Sequence, residues 1–111
     1  MKKIADNFAG AITICNEDFV ITYMNNKSKE TFQNESTGEL IGTNLFDCHK
    51  DDSIKKIMQI KENKSPNVYT IEKNGIKKLI YQSSIFEDNI FKGMIELSLE
   101  IPFEMPHFKR D

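Results

Sequence analysis

The chain has no tryptophan, and only two cysteines and three prolines occur among its 111 residues. Cys15 and Cys48 lie far apart, which suggests no disulfide framework, so the expectation is a reduced, cytoplasmic protein. No apolar run approaches the roughly 18–20 residues that cross a bilayer, and the opening Met-Lys-Lys-Ile-Ala-Asp-Asn has no apolar signal core behind it. Charge of one sign is also missing. Fifteen basic against seventeen acidic residues leave −2, which gives no general attraction for nucleic acid or anionic lipid. Repeats, low-complexity tracts and Pro/Gly/Ser linkers are absent, so one domain is expected. Gly-rich phosphate loops, G-x-S-x-G and H-E-x-x-H are absent too, and no catalysis is expected. The carboxylate pairs Asp51-Asp52 and Glu87-Asp88 are explained by a helix start and a turn.

What is present is an ordered series of short elements. Ile4, Ala5 and Phe8 have the spacing of a short helix within an N-terminal cap segment, residues 1–10. Residues 11–15 and 19–24 are β-rich and joined by Asn16-Glu17-Asp18, which predicts a hairpin. Asn25 and Asn26 have the side chains to cap a helix over 27–32. A short helical turn around Leu40 and Ile41 stops at Gly42. The clearest helix covers 53–62, with Asp51, Asp52 and Ser53 at its positive end. Its buried stripe is expected at Ile54, Ile57 and Met58, with Lys61 less strictly placed. Lys55, Lys56, Lys61 and Lys64 give it a basic outer face, but the aromatic interleaving of a nucleic-acid surface is missing.

The last third predicts three antiparallel strands. Asn74-Gly75 is a two-residue hairpin signal between 68–73 and 76–86, and it sets Glu72 opposite Lys77. A second turn at Glu87-Asp88-Asn89 leads into 91–101, where Ile95, Leu97, Leu99 and Ile101 alternate with Glu96, Ser98 and Glu100. Val68, Leu79 and Tyr81 then share one face, and Tyr69, Ile71, Ile76 and Ile80 the other. A sheet with one wet face does not carry that much apolar area on both. Helices are expected over one face, and a second copy of the chain over the other. The dimer face is assigned to Tyr69, Ile71, Ile80 and Phe103. The segment 102–111 is expected to be a C-terminal tail, too apolar at Phe103, Met105 and Phe108 for a free end.

This order of elements resembles a PAS domain over roughly residues 8–101. The residues that carry the likeness are the opening hairpin Ala11-Ile12-Thr13-Ile14-Cys15 to Tyr23-Met24-Asn25, and the segment Glu39-Leu40-Ile41-Gly42-Thr43-Asn44-Leu45-Phe46-Asp47. Asp47-Cys48-His49, the run Tyr69 to Gly75 and the run Glu96 to Phe103 are similar to a small bacterial PAS subgroup of undefined ligand. The resemblance implies an α+β fold over residues 11–101: a five-stranded antiparallel sheet in the order 2-1-5-4-3 with helices over one face. It also implies a non-catalytic sensory or signalling module that binds a small molecule internally and acts through homodimer or partner contacts.

The pocket is expected at Phe32, Ile41, Leu45, Phe46, Ile54, Ile57, Met58, Tyr81 and Met94, which would enclose a small apolar molecule. The competing reading has these residues as plain core in a structural dimerisation module. The cofactor stays unassigned. Haem-binding relatives ligate iron through a histidine on the long helix, and this helix has none, so His49 just before it is the candidate for a haem or polar contact. Flavin-bonding relatives carry Asn-Cys-Arg-Phe-Leu-Gln where this chain has Asn44-Leu45-Phe46-Asp47-Cys48-His49, which argues against flavin photochemistry. No metal site is expected, because only Cys15, Cys48, His49 and His107 could supply nitrogen or sulfur ligands.

Overall fold

The computed structural model describes residues 2–32, 40–44 and 51–111. Strands β1 (Ala11–Asn16), β2 (Ile21–Met24), β3 (Asn67–Lys73), β4 (Ile76–Glu87) and β5 (Ile90–Ile101) form one antiparallel sheet in the order β2-β1-β5-β4-β3. The helices are α1 (Lys2–Asp6), α2 (Asn26–Phe32) and α3 (Asp51–Asn63). Among the described residues, no helix is long and apolar enough to cross a membrane.

Turn chemistry sets the strand ends. Asn16 Oδ1 accepts hydrogen bonds from the amides of Asp18 at 2.9 Å and Val20 at 3.1 Å, which closes the β1–β2 connection. Phe19 takes a positive φ of 62° there and is buried, so it belongs to the turn and β2 begins only at Ile21. Burying its ring offsets the cost of the left-handed backbone. Asn74 and Gly75 have φ of 55° and 79°, as a type I′ turn requires, and Glu72 pairs with Lys77. Asp88 and Asn89, at 52° and 64°, make a second tight turn, so β5 starts at Ile90.

Asn25 joins the first hairpin to α2. Its Oδ1 accepts from the Ser28 amide at 3.0 Å, which caps the helix, and from the Ile12 amide at 2.9 Å. On the long helix the structure corrects the expected stripe. Ile57 and Ile60 are buried, whereas Met58 is 37% exposed. Ile60 follows Ile57 by three positions, so the inward stripe runs on to it and passes Met58 by. Lys61 follows, with its ammonium 5.7 Å and 5.1 Å from the ring centres of Phe19 and Phe91. Cys15, Phe19, Ile57, Ile60 and Met94 form the buried apolar cluster, and Phe91 packs against it.

Cross-strand pairing sorts the sheet into two faces. Ser84 Oγ donates to the Ile60 carbonyl at 2.8 Å, and Thr13 shares a hydrogen bond with Ser28 at 2.5 Å. The face that carries Ser84 and Thr13 therefore lies under α3 and α2. Cys15, Met94, Ile80 and Glu96 share it by register. The opposite face carries Ile12, Ile14, Tyr23, Ile95, Leu97, Leu99, Leu79, Tyr81 and Val68. The chain before β1 lies against it: Asp6 accepts a hydrogen bond from the Tyr23 hydroxyl at 2.6 Å. Gly10 sits so close to Leu99 that a Cβ there would come within 2.2 Å of its Cδ2.

Candidate functional site

One row of the helix-covered face crosses the whole sheet: Asn67, Gln82, Glu96, Thr13 and Met24 are consecutive register partners. Four of the five are polar. Asn67 Nδ2 donates to Gln82 Oε1 at 2.9 Å, and Gln82 Nε2 donates to Glu96 Oε2 at 2.7 Å. The chain of bonds has a direction, because a carboxylate accepts and so turns the Gln82 NH2 towards Glu96. That leaves the Gln82 oxygen for Asn67. All four polar side chains are half-buried.

Tyr69, two residues along β3 from Asn67, brings its hydroxyl to Gln82. Partial burial and the charge of Glu96 push its pKa up, and the Gln82 amide opposes them. The helices flank the row. Thr13 bonds to Ser28 of α2, and Ser84, two residues beyond Gln82, bonds to α3. At the rim Lys27 of α2 stands 3.8 Å from Glu100, a partly exposed pair of small energetic weight. Towards α3 the surface turns apolar through Met94, Cys15, Ile57 and Ile60. Burial pushes the Cys15 thiol up, away from its reactive thiolate form.

The residues expected from the sequence are distributed as follows. Ile57 of α3 and Met94 of β5 belong to one buried cluster, and Phe32 and Ile41 are half-buried. Tyr81 is a correction: it pairs with Leu97 and Val68 and stands on the face away from α2 and α3. Of the residues assigned to the dimer face, Ile80 is corrected: it is buried on the side that carries Ser84, and it and Tyr81 are interchanged because both faces of β4 are apolar. Tyr69 and Ile71 share its side by register, on the edge strand, and are 42% and 40% exposed. Phe103 lies beyond β5 and is 54% exposed. Leu45, Phe46 and His49 lie outside the described residues, and only the backbone of Ile54 is described. Among the described residues, no three His, Cys, Asp or Glu side chains cluster to hold a metal ion. The polar row itself was missed. Its signal was the run Glu96, Ser98 and Glu100, which reads as a solvent-facing pattern until the helices are placed over it.

No family model matches the chain, and no curated protein matches it. Solved structures do. A C-terminal domain from Streptococcus mutans superposes with a TM-score of 0.71 at 17% identity, covering 88% of this chain and 80% of that one. A sensory box sensor histidine kinase from Vibrio cholerae gives 0.64 at 14% identity, covering 93% and 90%. The PAS domain of a Colwellia psychrerythraea protein gives 0.61 at 20% identity, covering 90% and 92%. The chain has the PAS fold. At these identities the likeness is one of architecture.

Proposed function

We propose that this PAS-fold chain is a non-catalytic sensory module that holds a small molecule between α2, α3 and the sheet. The observation that carries the reading is the half-buried row of Asn67, Gln82, Glu96 and Thr13 on the sheet face against which α2 and α3 pack. A core that served packing alone would place apolar side chains at the centre of that face, since each polar group there has to be given a hydrogen-bond partner. The ligand therefore carries polar groups, which modifies the apolar ligand expected from the sequence. A bound molecule acts by favouring one of two packings of the helices on the sheet. Native mass spectrometry of protein purified from cells tests this: a retained small-molecule adduct is expected. A bare mass under gentle desolvation, with Glu96→Leu stabilising the fold, would favour the purely structural reading.

Output is proposed to run through the other face, in a homodimer or against a signalling protein. Leu97, Tyr81 and Val68 form an apolar row there, with Tyr81 38% and Val68 48% exposed. Leu97→Glu is expected to lower the solution mass to that of a monomer, measured by light scattering, while Ile71→Glu on the opposite face changes it less. Identical masses for wild type and Leu97→Glu would remove the dimer from the proposal.

A further inference from the structure

We propose that β3 is a docking edge, and that a second copy of this chain adds its own β3 to it, antiparallel, about a two-fold axis through Thr70. The inference is independent of what lies between the helices and the sheet.

The two edges of the sheet are finished differently. On β2 the amide of Ile21 donates to the Thr43 carbonyl at 2.9 Å, and the Ile21 carbonyl accepts from the Gly42 amide at 2.7 Å. Val20 and Asn44 extend that cover as an isolated bridge. Among the described residues, β3 has no such cover. The type I′ turn fixes which of its groups face out. Lys73 and Ile76 flank the turn and bond to each other, so Tyr69 and Ile71 likewise direct their amides and carbonyls to β4. Those of Val68, Thr70 and Glu72 point to the open side, where no described residue bonds to them. The strand runs for 7 residues without a register shift, and Val68, Tyr69 and Ile71 are exposed. With no lysine, proline or bulge along its middle, such an edge is a template for another strand.

Among the axes through an outward-facing residue of β3, one fits. An axis at Val68 would bring Pro66, which has no N–H, opposite Thr70. An axis at Glu72 would set two glutamates against each other. An axis at Thr70 pairs the whole of Asn67–Lys73: Thr70 meets Thr70, Val68 meets Glu72 and Asn67 meets Lys73. Tyr69 then meets Ile71 at the closely spaced positions, where an aromatic and a β-branched side chain attract. No like charges face each other. The pairing also closes on itself, because the other edge of each copy is the covered β2, so the product is a dimer and not a fibre. An edge of 7 residues buries far less than a standard interface, so this pairing needs a higher protein concentration than the far-face contact.

Amide hydrogen exchange of the full chain, resolved by residue with NMR, tests this at increasing protein concentration. The amides of Val68, Thr70 and Glu72 are expected to gain protection, while those of Tyr69 and Ile71, already bonded to β4, stay as they were. Thr70→Pro removes the central outward donor and leaves the ladder to β4 intact. It is expected to weaken the association by roughly tenfold or more, the scale of a hydrogen bond lost from each copy. Thr70→Lys keeps the N–H but opposes two charges across the axis, and is expected to abolish the concentration-dependent protection. Protection that is equal at every concentration would give the edge to another extended segment and overturn the second copy. Exchange that stays fast throughout would overturn docking at this edge. Protection that survives Thr70→Lys would overturn the axis at Thr70.

Discussion

Asn25 Nδ2 donates to the carbonyl oxygen of Gly10 across 2.8 Å, from a side chain that is 1% exposed. The same amide nitrogen donates to the Ala5 carbonyl at 3.0 Å, and Oδ1 accepts from Ile12 and Ser28. A single buried residue thus ties the N-terminal segment, β1 and the first turn of α2 together. Every polar atom of its side chain is used, so the chain before β1 is held against the sheet by an amide that no other residue type reproduces. Asn25→Ala is expected to cost at least about 3 kcal/mol, because several buried groups lose their partners at once. Urea denaturation reads the loss. Hydrogen exchange should show α1 losing protection first.

Gly93 predicts a sharp contrast with Gly75. Gly93 has φ of 146°, and a Cβ there would lie 2.2 Å from the Cys15 carbonyl oxygen, a backbone atom. Gly75, at φ of 79°, has nothing within 4 Å of that point. Gly93→Ala is expected to destabilise by more than about 2 kcal/mol, combining strain and overlap. Gly75→Ala, with strain alone, is expected to cost about 1 kcal/mol. Equal costs in denaturant melts would contradict the close β1–β5 approach.

The face that α3 turns inward is checked by one pair of truncations. Ile60→Ala is expected to cost about 2–4 kcal/mol, because it opens a cavity beside Phe19 and Met94. Met58→Ala, on a side chain 37% exposed, is expected to cost less than about 1 kcal/mol. Reversed magnitudes would mean that the helix is rotated.

Tyr23 predicts an alkaline limit. Burial, and then its hydrogen bond to Asp6 and that carboxylate's charge, push the hydroxyl from 10.0 up to about 12. In the unfolded chain the phenol ionises first, so the contribution is full below pH 10 and is lost as pH rises through about 12. Thermal melts between those values should show the wild type losing stability faster than Tyr23→Phe. Parallel curves for the two proteins would remove the Asp6 contact from the account.

Much of the fold was legible from local chemistry. Asn74-Gly75 announced its turn because only certain residues tolerate positive φ twice in a row, and Asn25 announced a cap because its side chain can accept an amide hydrogen bond. Local preference puts Phe19 in a strand, because aromatic residues favour one, and its burial in a left-handed turn depends on Phe91 and α3, far along the chain. Spacing from Ile54 points Met58 inward, while α3 turns Ile57 and Ile60 inward instead.

The amino-acid order by itself determined which residues share a face: Leu97 with Leu99, and Glu96 with Ser98, whatever lies above them. Only the tertiary structure decided which of those faces the helices cover. A period of two is symmetric, so it separates two sets of side chains without marking either as inner. The choice is made by contacts between distant segments, Thr13 with Ser28 and Ser84 with Ile60, and these put Glu96 on the sheet face that the helices pack against and Tyr81 on the far side.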